Sequence, residues 1–368
     1  MKDQKNELKT DQTIDLLKTL LDPRAVGALL SWYETNKRTL PWRETRDPYC
    51  IWISEIMLQQ TRVEAVKPYY ARFLAAAPNV NALADMSEER LYKLWEGLGY
   101  YSRARNLLRA AKTVAEKHGG RMPDTYEELR ALPGVGDYTA GAIASIAYDL
   151  PYPAVDGNVL RVLSRVCASR ADITDEKTKQ AFRAALFGVI PSESGAFTQA
   201  MIELGATLCG PNTAPACGEC PLSGVCRAYR MGLQNTLPVK KAKKPRRIEE
   251  MTVFLIRDGV HTLISKRPPR GLLAGLYELP NTKGHLDGNQ AVAFVRSLGA
   301  EPLRISRIED AKHIFTHVEW HMIAYDVTVR AEFDGVAESE ALFLVENGTL
   351  QKNLAIPSAF AAYTKYLS

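Results

Sequence analysis

This sequence predicts a two-part fold: a mainly α-helical N-terminal region followed by an α+β C-terminal domain. Three observations predict it. From residue 22 to 230 the apolar positions recur every three or four residues, the period of a helix with one buried face. At Lys240 to Arg247 the composition breaks into KKAKKPRR, six basic residues in eight around a proline. Beyond that break, β-branched and apolar residues run together or alternate, the pattern of strands.

Residues 1–20, MKDQKNELKTDQTIDLLKTL, are charged throughout and read as a polar tail running into a helix. Helical spacing then continues through Ala25–Tyr33, Ile51–Tyr70, Leu91–Leu98, Ala104–His118 and Phe182–Val189, punctuated at Asp85-Met86-Ser87, Gly119-Gly120 and Pro123-Asp124. Within this region, placed at 21–234, LPGVG (Leu132 to Gly136) reads as a Gly-rich hairpin opening an Ala-rich helix, Thr139–Tyr148. Pro133 fixes one backbone angle while Gly134 and Gly136 permit positive φ. Unpaired N–H groups at such a helix start, with the positive end of its dipole, suit an anion; an ordinary helix-helix turn uses the same residues. Asp156 stands where the next helix, Val159–Val166, begins, either as its N-cap or as a carboxylate aimed at chemistry. After a basic linker at 235–248, strands are expected at Met251–Ile256, His261–Ser265, Ile314–Val318 and His321–Val329, with a helix at Gln290–Leu298.

Four constellations carry chemistry. Cys209, Cys217, Cys220 and Cys226 crowd into eighteen residues, whereas Cys50 and Cys167 stand alone and are expected to be buried free thiols. Four close thiolates suit a tetrahedral zinc or a 4Fe-4S cluster; a single CxxC, and a proline after Cys220, favour the cluster as a structural staple. In IWISEIMLQQT (Ile51 to Thr61), Glu55 has apolar neighbours a turn away on both sides, so desolvation would raise its pKa toward that of a proton donor; a glutamate bordering the core is the alternative. Gln59, Gln60 and Thr61 end that run with polar tips suited to base edges. In GLGYYSRARNLLR (Gly97 to Arg109), tyrosines adjoin arginines, as in surfaces that stack bases and pair phosphates, or in a solvated basic helix face; LPWR (Leu40 to Arg43) repeats the theme. The fourth is RPPRGLLAGLYELP (Arg267 to Pro280), a Gly-rich turn beside a strand.

Together these motifs, in this order, resemble the helix-hairpin-helix superfamily of DNA glycosylases, and within it the adenine DNA glycosylases of the MutY type. LPWR, Trp52 to Thr61, LGYYSRARNL (Leu98 to Leu107), LPGVG, VDGNV (Val155 to Val159), the four cysteines, GLLAGLYELP and HIFTH (His313 to His317) carry the resemblance across nearly the whole chain. It implies a helical glycosylase domain with its helix-hairpin-helix at about 129–148, a 4Fe-4S module at 209–226, and a Nudix-like lesion-recognition domain at 249–368. It also implies hydrolysis of the N-glycosidic bond of adenine mispaired with 8-oxoguanine, with A opposite G a second substrate, after the nucleotide is flipped out of the duplex. Glu55 would protonate the purine, Asp156 would stabilise the oxocarbenium ion, and Asn158 and Tyr138 would shape the pocket. Gln60 and Tyr100 match the intercalating positions, and Thr61 would help hold the opposite base. Arg43, Leu58, Gly134 and Gly136 join the DNA contacts, while Phe315, Thr316 and His317 match the loop that reads 8-oxoguanine, with Thr316 where the family usually has serine.

Bifunctional relatives carry a lysine two residues after the last glycine of LPGVG. Here Tyr138 occupies that place, so a monofunctional enzyme is expected, since a phenol forms no Schiff base. The Nudix-like half reads RSLG (Arg296 to Gly299) where the hydrolases have a glutamate-rich magnesium site, so recognition rather than pyrophosphate hydrolysis is expected. The first cysteine gap is seven residues against the family's usual six, which a surface loop absorbs. Two alternatives use the same residues: a non-catalytic lesion-binding protein, and a nucleotide pyrophosphatase fused to a DNA-binding module.

The net charge of +5 permits a nucleic-acid partner. No apolar signal-peptide core or membrane span is read, so the expected setting is the cytoplasm of a bacterium, as a nucleoid-associated monomer on double-stranded DNA.

Overall fold

A computed structural model describes residues 10–211, 214–242, 245–330 and 342–367. The first nine residues of the expected tail and Lys243-Lys244 of the linker lie outside the described residues. The chain forms two compact units, one of residues Met1–Asp85 with Asn106–Ala242, the other of Met86–Arg105 with Lys243–Ser368. The segment Met86–Arg105, helical by composition, therefore packs within the second unit.

The helices run α1 Thr10–Leu20, α2 Pro23–Asn36, α3 Pro48–Leu58, α4 Val63–Ala76, α5 Val80–Ala84, α6 Glu88–Trp95, α7 Ser102–Lys117, α8 Tyr126–Ala131, α9 Asp137–Tyr148, α10 Gly157–Val166, α11 Glu176–Phe187, α12 Ser194–Ala206 and α13 Arg227–Arg230. Their starts follow local chemistry. Asp22 caps α2 and Asp47 caps α3, each ahead of a proline in the first turn, and Ser87 caps α6. The run Ile51–Tyr70, which reads as one apolar stretch, is two helices. α3 stops at Leu58, and Gln60 takes a left-handed backbone with φ +59 before α4 begins. Apolar spacing on both sides hides the break, because a short turn between two core-facing helices leaves the period nearly intact.

In the first unit α9 packs against α3, α8 and α12, and α10 against α12. Leu29, Val159, Leu163, Phe197, Met201 and Leu204 anchor a core drawn from α2, α10 and α12. The hairpin joins α8 to α9. Gly134 has φ +76, and a Cβ there would lie 2.6 Å from that of Asn106, so only glycine fits. Gly136 has φ −89 and serves as the N-cap residue of α9, so the positive φ is needed at Gly134 alone.

In the second unit β1 Arg247–Arg257, β2 His261–Lys266, β3 Tyr277–Glu278, β4 Asn281–Lys283, β5 Pro302–Ile314, β6 Val318–Val329 and β7 Leu342–Glu346 form one sheet. The order is β3-β2-β1-β6-β5, with β4 on β1 and β7 on β2; β1 and β6 are parallel, Val253 opposite Ala324, and the other pairings antiparallel. Both faces are covered. Val253 and Leu255 face a core with Leu350, Phe360 and Tyr363, while Phe254 and Ile256 face Ala291 and Val295 of α14 Gly288–Ser297. This double burial explains the unbroken apolar run of β1. The chain ends in α15 Asn347–Asn353 and α16 Ala361–Thr364. The expected strand Ile314–Val318 is instead the connection between β5 and β6. Phe315 N–H donates to the Val318 carbonyl at 2.8 Å and reverses the chain, and the β-branched residues that suggested a strand are the ends of the two flanking ones. Among the described residues no helix is long and apolar enough to cross a membrane.

Candidate active site

A cavity of about 490 Å³ in the first unit gathers residues from α3, α4, α9, α10 and α12. Glu55 comes from α3, Tyr138 from the first turn of α9, Asp156 and Asn158 from the start of α10, and Gln199 and Ile202 from α12. Arg43, Leu58, Gln60 and Thr61 line the same cavity.

Glu55 is 7% exposed. Burial pushes its carboxyl up to about 7; the Tyr138 hydroxyl, which hydrogen-bonds it, and the charge of Arg43 work against that rise, while the Asp156 carboxylate adds to it. Tyr138 is in turn raised well above the usual phenol value, by burial first and then by the two carboxylates beside it.

Asp156 is the N-cap of α10, as one reading of the sequence had it, and it lines the cavity as well. Its Oδ1 accepts from the backbone N–H of Asn158 at 2.9 Å and of Val159 at 2.8 Å, and its Oδ2 accepts from Asn158 Nδ2 at 2.7 Å. Burial raises its carboxyl and these donors oppose the rise. The site thus holds two carboxyls with different surroundings, one in an apolar wall and one fully supplied with N–H donors.

Asn158 is fixed from behind. Arg161, 4% exposed, donates through Nη2 to Asn158 Oδ1 at 2.9 Å and to the Gly205 carbonyl at 2.7 Å, and through Nε to the Cys209 carbonyl at 2.7 Å. A Cβ on Gly205 would come within 2.7 Å of Asn158 Cβ, so α12 approaches α10 only because residue 205 is glycine.

Sequence reasoning missed the group that holds Arg43. Glu203 of α12, fully buried, accepts from Arg43 Nη2 at 2.7 Å, from Arg38 Nε at 2.7 Å and Nη2 at 2.7 Å, and from Arg38 N–H at 3.1 Å. Burial alone would raise that carboxyl, but the two arginines hold it at about 2. LPWR pointed to Arg43; nothing local pointed to a partner 160 positions away.

The four clustered cysteines ring one small apolar pocket with Val162, Leu204 and Leu222. All are free thiols, and Arg165 Nη1 donates to Cys209 Sγ at 3.1 Å. Of the two isolated cysteines Cys167 is buried as expected, but Cys50 is only half-buried, because it lies in the first turn of α3 beside the Asp47 cap. Among the described residues no three thiol, imidazole or carboxyl groups converge tightly enough to hold a single metal ion.

The remaining expected site residues divide. Gly134 and Gly136 lie in the hairpin and not in the cavity wall. Tyr100, Phe315, Thr316 and His317 line a separate cavity of about 990 Å³ within the second unit, where Tyr100 Oη and Thr316 Oγ1 are 3.3 Å apart. Phe315 packs edge-on against Trp320 at 5.0 Å and His313 at 4.6 Å. Tyr100, like Gln60, is a non-glycine residue with left-handed backbone, φ +48. At the RSLG segment, Arg296 pairs with Glu301 at 2.7 Å.

Residues 53–186 match the HhH-GPD superfamily base excision DNA repair proteins, and residues 252–366 match the NUDIX domain. The adenine DNA glycosylase of Mus musculus is 38% identical over 361 residues, spanning 82% of this chain and 70% of that protein. That of Buchnera aphidicola subsp. Baizongia pistaciae is 33% identical over 293 residues, 79% of this chain and 82% of that protein. Among solved structures, a thermostable thymine-DNA glycosylase superposes with a TM-score of 0.52 at 27% identity, covering 59% of this chain and 98% of that one.

Proposed function

The chain belongs to the adenine DNA glycosylases, and from that premise we propose that it removes adenine mispaired with 8-oxoguanine in double-stranded DNA, as a monofunctional, base-flipping enzyme. A adenine opposite guanine is the second substrate. The observation that carries this reading is the pairing in one cavity of Glu55, with a carboxyl near neutrality, and Asp156, a carboxylate capped by N–H donors.

Adenine leaves poorly until a ring nitrogen is protonated. Glu55 gives that proton; the C1′–N9 bond breaks, and its electron pair departs with the base. The sugar is left as an oxocarbenium-like cation, which Asp156 stabilises until water adds to C1′ and gives up a proton to the Glu55 carboxylate. Asn158 holds Asp156 in orientation, and Tyr138 holds Glu55. With a phenol at 138 no amine attacks the sugar, so the strand is left uncut.

Because the bond lies inside a duplex, the nucleotide is flipped into the cavity. Gln60 and Tyr100 fill the gap, and their left-handed backbones support that role, since strain of this kind collects at functional positions. The hairpin at Gly134 and Gly136 grips a phosphate through N–H groups at the start of α9. Arg43 and Leu58 contact the flipped nucleotide, Thr61 the opposite base, and Phe315, Thr316 and His317 read 8-oxoguanine.

Cys209, Cys217, Cys220 and Cys226 hold a 4Fe-4S cluster. Four free thiols around one cavity, with a single CxxC and a proline after Cys220, suit a 4Fe-4S cluster better than a lone zinc. When bound, the cluster supplies a rigid tie for its loop. The enzyme acts as a monomer on the nucleoid. The test is single-turnover release of adenine opposite 8-oxoguanine: wild type releases the base, and E55Q binds the duplex without releasing it. Full activity of E55Q would remove the mechanism.

A further inference from the structure

We propose that Gln59 is a positioning residue that sets the Gln60 wedge by tying the end of α3 to the hairpin helix α9. The inference rests on the reading above that Gln60 fills the gap left by the flipped nucleotide.

The backbone after α3 is a tight turn. Thr61 N–H donates back to the Leu58 carbonyl at 3.3 Å, Gln59 has φ −59 and ψ 111, and Gln60 has φ +59. These are the dihedrals of a type II turn, whose third position favours glycine. A glutamine there is strained, and such a conformation persists only when its surroundings hold it.

Gln59 supplies the hold. Its Nε2 donates to Oγ1 of Thr139 at 3.3 Å, 80 positions along the chain. Thr139 is 2% exposed and sits in the first turn of α9, next to Tyr138 and just past the hairpin glycines. One side-chain bond therefore joins the turn that presents Gln60 to the helix whose start grips the DNA phosphate. Docking of the backbone and placement of the wedge become one event: a strand held by the hairpin meets Gln60 already set at the edge of the cavity that Gln59, Gln60 and Thr61 line with Glu55.

The experiment uses the full chain and two duplexes, one with adenine opposite 8-oxoguanine to follow base release and one with 2-aminopurine in place of that adenine, whose fluorescence reports flipping. Q59M removes the donor at similar length, T139V removes the acceptor, and T139S keeps it. Q59M and T139V are each expected to slow flipping and adenine release by about three- to tenfold, the range of one hydrogen bond, with duplex affinity unchanged. T139S stays within about twofold of wild type, and the double variant Q59M/T139V is no worse than either single change, because both delete one bond. Normal flipping in both single variants, or additive losses in the double, would overturn the proposal. Q60A separates the two levels. Normal flipping in Q60A sinks the wedge reading itself, whereas impaired Q60A beside normal Q59M and T139V sinks only the tie.

Discussion

Asn158 Nδ2 donates to Asp156 Oδ2 at 2.7 Å, while Asp156 Oδ1 accepts from the backbone N–H of Asn158 and Val159. A single carboxylate thereby caps α10 and faces the cavity. Its two roles separate on substitution.

Asparagine caps a helix about as well as aspartate, so D156N is expected to cost no more than about 1 kcal/mol of stability. It lacks the charge that stabilises the sugar cation, and base release falls by at least about 100-fold. Denaturant unfolding and single-turnover release on the same preparation measure both. A fully active D156N would remove Asp156 from the chemistry.

Glu55 links activity to pH. With the carboxyl near 7, base release is expected to hold below that pH and to fall about tenfold per unit above it. Stability moves with it. The folded carboxyl titrates near 7 and the unfolded one near 4.5, so the folded protein binds more protons in that window, and stability declines as pH rises from 4.5 to 7. E55Q is expected to lose that decline. Equal pH dependence of unfolding in wild type and E55Q would show that Glu55 titrates normally.

Glu203 has the opposite sign. Its folded carboxyl sits at about 2 against 4.5 unfolded, so its contribution is complete above 4.5 and lost as pH falls through 2. E203Q leaves the Arg38 and Arg43 guanidiniums without their carboxylate and is expected to cost about 3 kcal/mol at pH 7. Urea midpoints at pH 7 and pH 3 measure it, the gap from wild type narrowing at the lower pH. An unchanged midpoint at pH 7 would mean the cluster adds nothing.

The purified protein is expected to be yellow-brown, with a broad visible absorption band and equal iron and labile sulfide. C220S is expected to lose the colour. A colourless wild type holding one zinc would replace the cluster with a single ion.

Sequence periodicity revealed most of the helices because they are amphipathic on a local scale, and the apolar run of β1 was plain because both faces of the sheet are covered. Periodicity failed where the chain turns between buried segments, at Gln59–Arg62 and at Phe315–His317, since the flanking residues are apolar on both sides. Glu55 and Asp156 were legible from their immediate neighbours. Glu203 and Arg161 were not, because the arginine–carboxylate clamp across 160 positions exists only after the segment 38–43 meets α12, and the guanidinium joining Asn158 to the Cys209 carbonyl only after α10 meets the chain that follows α12.

Substrate choice and the absence of strand cleavage are both read from base release on four matched duplexes carrying adenine opposite 8-oxoguanine, guanine, cytosine and thymine, with strand integrity followed alongside. Adenine should leave fastest opposite 8-oxoguanine, next opposite guanine and hardly at all opposite cytosine or thymine, with the strand uncut until heated in alkali. Equal rates on all four, or strand scission together with base release, would contradict the account.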